Sequence, residues 1–203
     1  MPDTATEHRG LIGPNAVLQL LPHLESLGGR QNMKATLERA GILEIPDGRH
    51  MIPEKDAARL HQLLRAEEPT VATSLTTAAG RDTADYILRH RIPKPAQYVL
   101  RALPARPAAR LLSRAIAKHA WTFAGSGAFS ASDPWTFYIK DNPVIRGEVS
   151  HTPLCAWHAA VFERLYRRLV HPHCRCTEIR CCAQRNSDLC EFRMSMESTI
   201  SDT

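Results

Sequence analysis

Five of the six cysteines in this chain fall between Cys174 and Cys190, in the run HCRCTEIRCCAQRNSDLCEF, with Glu178 among them. The sixth, Cys155, stands apart at the start of an amphipathic segment. Thiolates beside a carboxylate are zinc-type donors, and zinc takes about four of them. Cys182 and Cys190 are separated by seven residues, which lets two paired strands bring both sulfurs to one point across a turn. Glu178, four residues before Cys182, faces the same side on a regular strand. Cys155 can reach that point from a helix packed on the sheet. On this register Cys181 points to the opposite face. Cys174, Cys176 and His173 are also within reach, so the residues alone leave the set open. The competing reading is that several cysteines are small buried apolar residues. No Cys-x2-Cys pair supports an iron–sulfur cluster. In a reducing cytosol, clustered cysteines bind metal more often than they form disulfides.

Helices fill the first half. Met1 to Gly10 is polar and is read as a disordered tail. Gly13-Pro14 opens a helix with Val17, Leu18, Leu20, Leu21, Leu24 and Leu27 apolar; Pro22 is expected to kink it and Gly28-Gly29 to stop it. A short helix follows from Asn32 to Ala40, and Pro53 starts another. Thr70 to Arg89 predicts a longer helix whose first half, Ala72 to Gly80, is a run of small residues. Such a run admits either a neighbouring helix, the commoner use, or a flat ligand. After a proline-punctuated stretch from Pro93 to Pro107, the spacing puts Ala108, Leu111, Leu112, Ala115 and His119 on one helical face. Arg106, Arg110, Arg114 and Lys118 recur at every fourth residue on another.

The period then changes. Trp121 to Gly125 and Trp135 to Lys140 alternate and are rich in aromatics, as strands are. Thr152-Pro153 predicts the start of a helix running to Leu169, with His158 on its apolar stripe. Cys176 to Ala183 and Cys190 to Met196 predict a hairpin. Helices first, then a small antiparallel sheet with one inserted helix, is an α+β pattern. The division is 1–10 tail, 11–119 helical part and 120–197 α+β core, together one compact domain.

Charge and composition exclude some classes. Lys and Arg number 26 against 21 Asp and Glu, for a net charge of +5. No aromatic-interleaved basic ribbon points to nucleic acid. No secretory signal and no membrane-length apolar run is visible, which predicts a cytoplasmic protein with at most peripheral membrane contact. No Gly-x-Gly-x-x-Gly or phosphate-cradling loop is present.

The C-terminal block resembles the 4-vinyl-reductase domain family. The marks are a strand ending in an Asp-Asn-Pro turn (TFYIKDNP, Thr136 to Pro143), a helix opening at a cysteine (PLCAWHAAVFERL), and a Glu-containing strand followed by Cys-x7-Cys and an aromatic (EIRCCAQRNSDLCEF). The similarity covers roughly Trp121 to Met196. Where the family commonly has glycine between the two cysteines, this chain has Arg185 and Asn186; asparagine tolerates the left-handed conformation such a turn requires. The resemblance implies Cys155, Glu178, Cys182 and Cys190 as ligands of a structural zinc, with Cys181 as the substitute that the doubled cysteine offers.

It also implies work on a magnesium tetrapyrrole in bacteriochlorophyll biosynthesis, at the photosynthetic membrane or near it. An apolar slot is expected between helices and sheet, lined in part by Trp121 and Phe123. Arg110 and Arg114 are candidates for pairing with a ring carboxylate, and His119 and His158 for an axial ligand. Three functions compete. The first is a carrier that holds the pigment precursor and presents it to other pathway enzymes. The second is the 4-vinyl reductase of the family's name, and the third a small-molecule sensor module. Vinyl reduction needs an electron source that belongs to a cofactor, and the residues show no site for one, so the carrier is preferred. Domains of this build often pair, which makes a homodimer an expectation too.

Overall fold

In the computed structural model of the chain, residues 10–196 are described; the expected tail at 1–9 lies outside them. The architecture is α+β, as the pattern predicted. The short strand β1 (Leu11–Ile12) pairs antiparallel with β2 (Ile52–Pro53), tying the chain start to the beginning of α3. Between them run α1 (Asn15–Leu18) and α2 (Leu21–Arg39), and after them α3 (Glu54–Glu67) and α4 (Ala72–His90). Pro22 sits in the first turn of α2 rather than inside a helix, where its missing N–H costs nothing. The expected stop at Gly28-Gly29 is a kink instead: Gly29 takes φ 78° and the helix resumes to Arg39.

A helical hairpin follows, α5 (Lys94–Ala102) and α6 (Ala105–Lys118). Trp121 to Gly125, read as a strand, is the single helical turn α7 (Trp121–Ala124). The alternation there is too short to specify a strand, and the backbone instead closes turns from His119 and Ala120. Strands β3 (Ala128–Asp133) and β4 (Thr136–Lys140), a 3-10 turn at Pro143–Ile145, α8 (Ala156–Leu169), β5 (Cys174–Arg180) and β6 (Leu189–Met196) complete the chain. Helix α8 begins at Ala156 with Cys155 as its cap, later than Thr152-Pro153 predicted.

The larger sheet is antiparallel in the order β3-β4-β6-β5. Its inner face meets α8 through interlocked aromatics: Phe162 lies edge-on to Phe123, Phe137 and Phe192, with centroids 5.5, 5.1 and 5.3 Å away. Edge-to-face rings of this kind add about 0.5–1.5 kcal/mol per pair beyond the area they bury.

Helix α4 lies along α8. Its small residues serve helix packing, the commoner of their two uses: a Cβ on Gly80 would stand 2.4 Å from the carbonyl oxygen of Trp157 and 2.8 Å from the Cβ of Ala160. The same contact carries a paired ion bridge, Arg164 donating from Nε and Nη2 to Asp85 at 2.9 Å each, and the indole Nε1 of Trp157 donates to Thr83. At the other end of the sheet, Glu54 accepts from Ser126 N and Oγ, both at 2.7 Å, and pairs with Arg146. This joins the α3 start to the turn that precedes β3.

Candidate metal centre and its surroundings

The hairpin, the turn after β4 and the start of α8 converge on one point. Sγ of Cys155, Cys181 and Cys190 and a carboxylate oxygen of Glu178 all lie within 4.8 Å of one another. The Cys155 and Cys190 sulfurs are 3.5 Å apart. Four ligands around one zinc, with Zn–S bonds of about 2.3 Å, stand ~3.8 Å from each other. The three sulfurs and one carboxylate therefore have the number, chemistry and spacing of a tetrahedral site.

Three of the four expected ligands are in the group; the fourth place is taken by Cys181, the substitute, and not by Cys182. The cause is a bulge. Glu178 pairs with Phe192 and Arg180 with Glu191, so Ile179 is an extra residue in β5. One inserted residue reverses the in–out alternation beyond it. From Glu178 onward the side that an even number would have kept passes to odd numbers, and Cys181 turns inward. Cys182 is half-buried, its Sγ 3.5 Å from that of Cys190 and 3.7 Å from the Ile139 carbonyl. Cys174 and Cys176 lie on β5, apart from the group, and His173 is exposed. The loop closes through Asn186 at φ 63°, the left-handed conformation that asparagine was expected to supply.

Electrostatics point the same way as geometry. Glu178 Oε2 accepts from the Cys155 backbone N at 2.7 Å, while Oε1 is buried with no partner among the described residues. Burial, then the charge of Cys181, pushes this carboxyl up to about 8. Burial also pushes the Cys155 thiol well up. The Cys181 thiol is drawn down because the thiols of Cys155 and Cys190 donate to it. Four acidic groups packed together cannot all ionise unless a cation joins them, and an orphaned carboxylate oxygen facing three sulfurs is a ready ligand for one. The donor set suits zinc. Four protein ligands leave no open position, which is the arrangement of a structural ion.

Sequence reasoning missed Asn142. Its Nδ2 donates toward Cys155 Sγ at 3.3 Å and Cys190 Sγ at 3.8 Å, and its Oδ1 accepts from Val144 N. The Asp-Asn-Pro turn was visible in the chain; nothing in it says that the amide aims at sulfurs from a distant hairpin. Cys182 N adds a donor to Cys190 Sγ at 3.4 Å.

The candidate ligand-binding residues divide. His158 is buried, its Nε2 at 3.1 Å from the Phe123 carbonyl and its Nδ1 without a partner among the described residues. Burial lowers it to about 4, so the ring is neutral. Phe123 is half-buried in the same cluster, against Phe129 and Phe162. His119, Arg110 and Arg114 are exposed, and Trp121 is largely so. The inward face of α6 is Ala108, Ala109, Leu112, Ser113 and Ile116, about one position round from the expected stripe, so His119 and Leu111 turn outward. The expected slot between helices and sheet is filled by the phenylalanine cluster. A groove of about 290 Å³ lies at its margin, between α4, α8 and β5, and is lined by Thr77, Arg81, Ala156, Ala159 and Glu178 among others.

The sheet, the inserted helix and the cysteine clamp together define a 4-vinyl-reductase domain, and residues 135–196 match that domain family. Over nearly its whole length the chain is similar to the Bacteriochlorophyll synthase 23 kDa chain of Cereibacter sphaeroides: 49% identical over 192 residues, covering 94% of this chain and 92% of the relative. The protein of the same name from Rhodobacter capsulatus is 44% identical over 172 residues, covering 84% and 80%. The chain belongs to this family of 4-vinyl-reductase-domain proteins, as the motifs implied. Its fold is also that of H-NOX proteins. An Fe(II) unliganded H-NOX protein from K. algicida superposes with a TM-score of 0.59 at 8% identity, covering 95% of this chain and all of that one. An H-NOX structure probing the function of heme distortion superposes at 0.54 and 9% identity, covering 92% and 96%.

Proposed function

We propose that the protein acts in bacteriochlorophyll biosynthesis by holding a magnesium tetrapyrrole precursor and presenting it to the enzymes that modify it. The observation that carries this reading is the near-full-length similarity to relatives named as a chain of bacteriochlorophyll synthase. The fold supports a tetrapyrrole as the ligand: H-NOX proteins, whose structures include work on heme distortion, adopt the same fold.

The groove beside α8 is the place we assign to the ring edge. Its floor of Ala156 and Ala159 is flat and apolar, and exposed Arg81 at the rim suits a ring carboxylate. Its volume is at the low end for ligand sites, so the groove takes one edge of the macrocycle and leaves the rest open to a receiving enzyme. A bound zinc on Cys155, Glu178, Cys181 and Cys190 would fix one wall by pinning β5 to the start of α8. It would supply rigidity rather than chemistry.

The test is absorbance spectroscopy of the purified protein mixed with a divinyl magnesium tetrapyrrole. A shifted Soret band is expected, and Ala159→Phe, which fills the groove, should abolish the shift while the far-UV circular dichroism stays unchanged. No shift with the unmodified chain sinks the reading. Conversion to a monovinyl product with NADPH or reduced ferredoxin and no second protein would replace the carrier by the reductase.

A further inference from the structure

From Tyr86 to Ser132 the chain contains no acidic residue and eight Lys and Arg. The rest of the chain therefore carries all 21 acidic residues and a net negative balance, 18 basic against 21 acidic. The acid-free stretch builds the end of α4, the α5–α6 hairpin and α7. Lys94, Arg101, Arg106, Arg110, Arg114 and Lys118 are all exposed. No ion pair with a carboxylate is formed by any of the eight among the described residues; elsewhere Arg65, Arg146, Arg164, Arg180 and Arg193 each hold one. The basic charge here is left for something outside the chain.

The same face is apolar between its charges. Tyr98 is 67% exposed, Val99 56%, Leu111 45% and Trp121 40%. On α5 the inward residues are Gln97 and Leu100, so Tyr98, Val99, Pro95 and Ala102 turn outward. Both helices pack on α8 and on each other, which leaves their outer sides facing away from the body.

We propose that the α5–α6 hairpin, with Trp121, is a docking face for an anionic lipid surface. Lys and Arg stems lie along apolar surface with their charges at headgroup level, and Trp and Tyr prefer that same interface. Nucleic acid fits less well. Phosphate and base contacts draw on Asn, Gln, Ser and Thr beside the basic residues. Of those types, the segment between Pro93 and Lys118 has Gln97 and Ser113, and both are buried. Exposed Val99 and Leu111 gain nothing against a phosphate backbone but bury in the acyl boundary. No helix among the described residues is long and apolar enough to cross a membrane, so the hairpin lies on the surface. This inference does not depend on which ligand the protein carries.

The experiment is sedimentation of the full chain with phosphatidylcholine vesicles, with and without phosphatidylglycerol. Binding is expected only with the anionic lipid, and weaker at roughly 0.5 M salt, where charges are screened. A basic residue near such a surface contributes about a fivefold gain in partitioning, so Arg106→Gln, Arg110→Gln and Arg114→Gln together should lower binding on the order of 100-fold. Tyr98→Ser with Val99→Ser should remove the part that survives high salt. Unchanged circular dichroism and metal content certify that each variant is folded. Equal binding to neutral vesicles, no loss in the triple variant, or tighter binding to duplex DNA at equal phosphate concentration would overturn the proposal.

Discussion

The cysteine centre and the α5–α6 hairpin solve opposite problems with charge. At the centre, four acidic donors from three separate segments are buried within 4.8 Å of one another. They are held by Asn142 and by backbone N–H groups. On the hairpin, basic side chains from one continuous segment stand in solvent without carboxylate partners. The first arrangement is unstable without a cation and becomes a clamp with one. The second costs the fold little and gives it nothing. A feature that costs stability unless something binds must be read by what it would bind, whereas a feature to which the fold is indifferent must be read by what lies outside.

That contrast breaks most directly at the ligands. Cys190→Ser should abolish metal binding and lower the melting temperature by on the order of 10 °C, since a structural ion's binding energy is folding energy. Cys182→Ser should keep the metal and shift melting by less than about 2 °C. Elemental analysis with thermal denaturation reads both. Metal loss in the Cys182 variant with retention in a Cys181→Ser variant would restore the regular-strand register and refute the bulge argument.

Packing gives the next effect. Gly80→Ala puts a methyl against the Trp157 carbonyl and Ala160, and overpacking of this kind costs about 1–3 kcal/mol. Urea denaturation should show it as a lower midpoint. An unchanged midpoint would mean that α4 and α8 slide apart freely, and that the groove beside them is wider than described.

The buried imidazoles supply a pH signature that the hairpin lacks. His61 and His158 are lowered by burial, to about 3 and about 4. Below the unfolded value near 6.5, the unfolded chain binds protons that the native core refuses, so stability is full above about 6.5 and falls as pH drops toward 4. Urea midpoints between pH 7 and pH 4 measure this (roughly the window set by the two values). His61→Gln should flatten the decline. In metal-free protein Glu178 acts in the reverse sense: with its carboxyl raised to about 8, stability declines as pH rises from about 4.5 toward 8. Metal should cancel that decline.

How much of this could be read from the chain varies with range. The α+β order and the β5–β6 hairpin follow from local periodicity, and the ligand types from composition and spacing. Asn186 in the left-handed turn was legible because few residues accept that backbone. The bulge at Ile179 was not legible, because inserting one residue leaves the hydrophobic pattern of so short a strand almost unchanged. Asn142 was invisible as a sulfur partner because the contact spans 48 residues. The rotation of α6 was missed because alanines on both sides of the stripe blur the apolar boundary. Leu111 and His119 fell on the wrong side of it.

The smallest effect is the one that separates the two regions most cleanly. Arg106, Arg110, Arg114 and Lys118 are spaced four apart on α6, so each faces a like charge one turn away. Such pairs destabilise a helix by about 0.2–0.5 kcal/mol each at low salt. Arg110 takes part in two of them. Arg110→Gln should therefore raise stability slightly, by about 0.5 kcal/mol in low salt, and the gain should vanish when salt screens the repulsion. Chemical denaturation at two ionic strengths reads it. A loss of stability would mean that Arg110 makes a contact which holds the fold together. A gain would show that the hairpin keeps charge at the expense of its own helix, as a surface selected for an outside partner does.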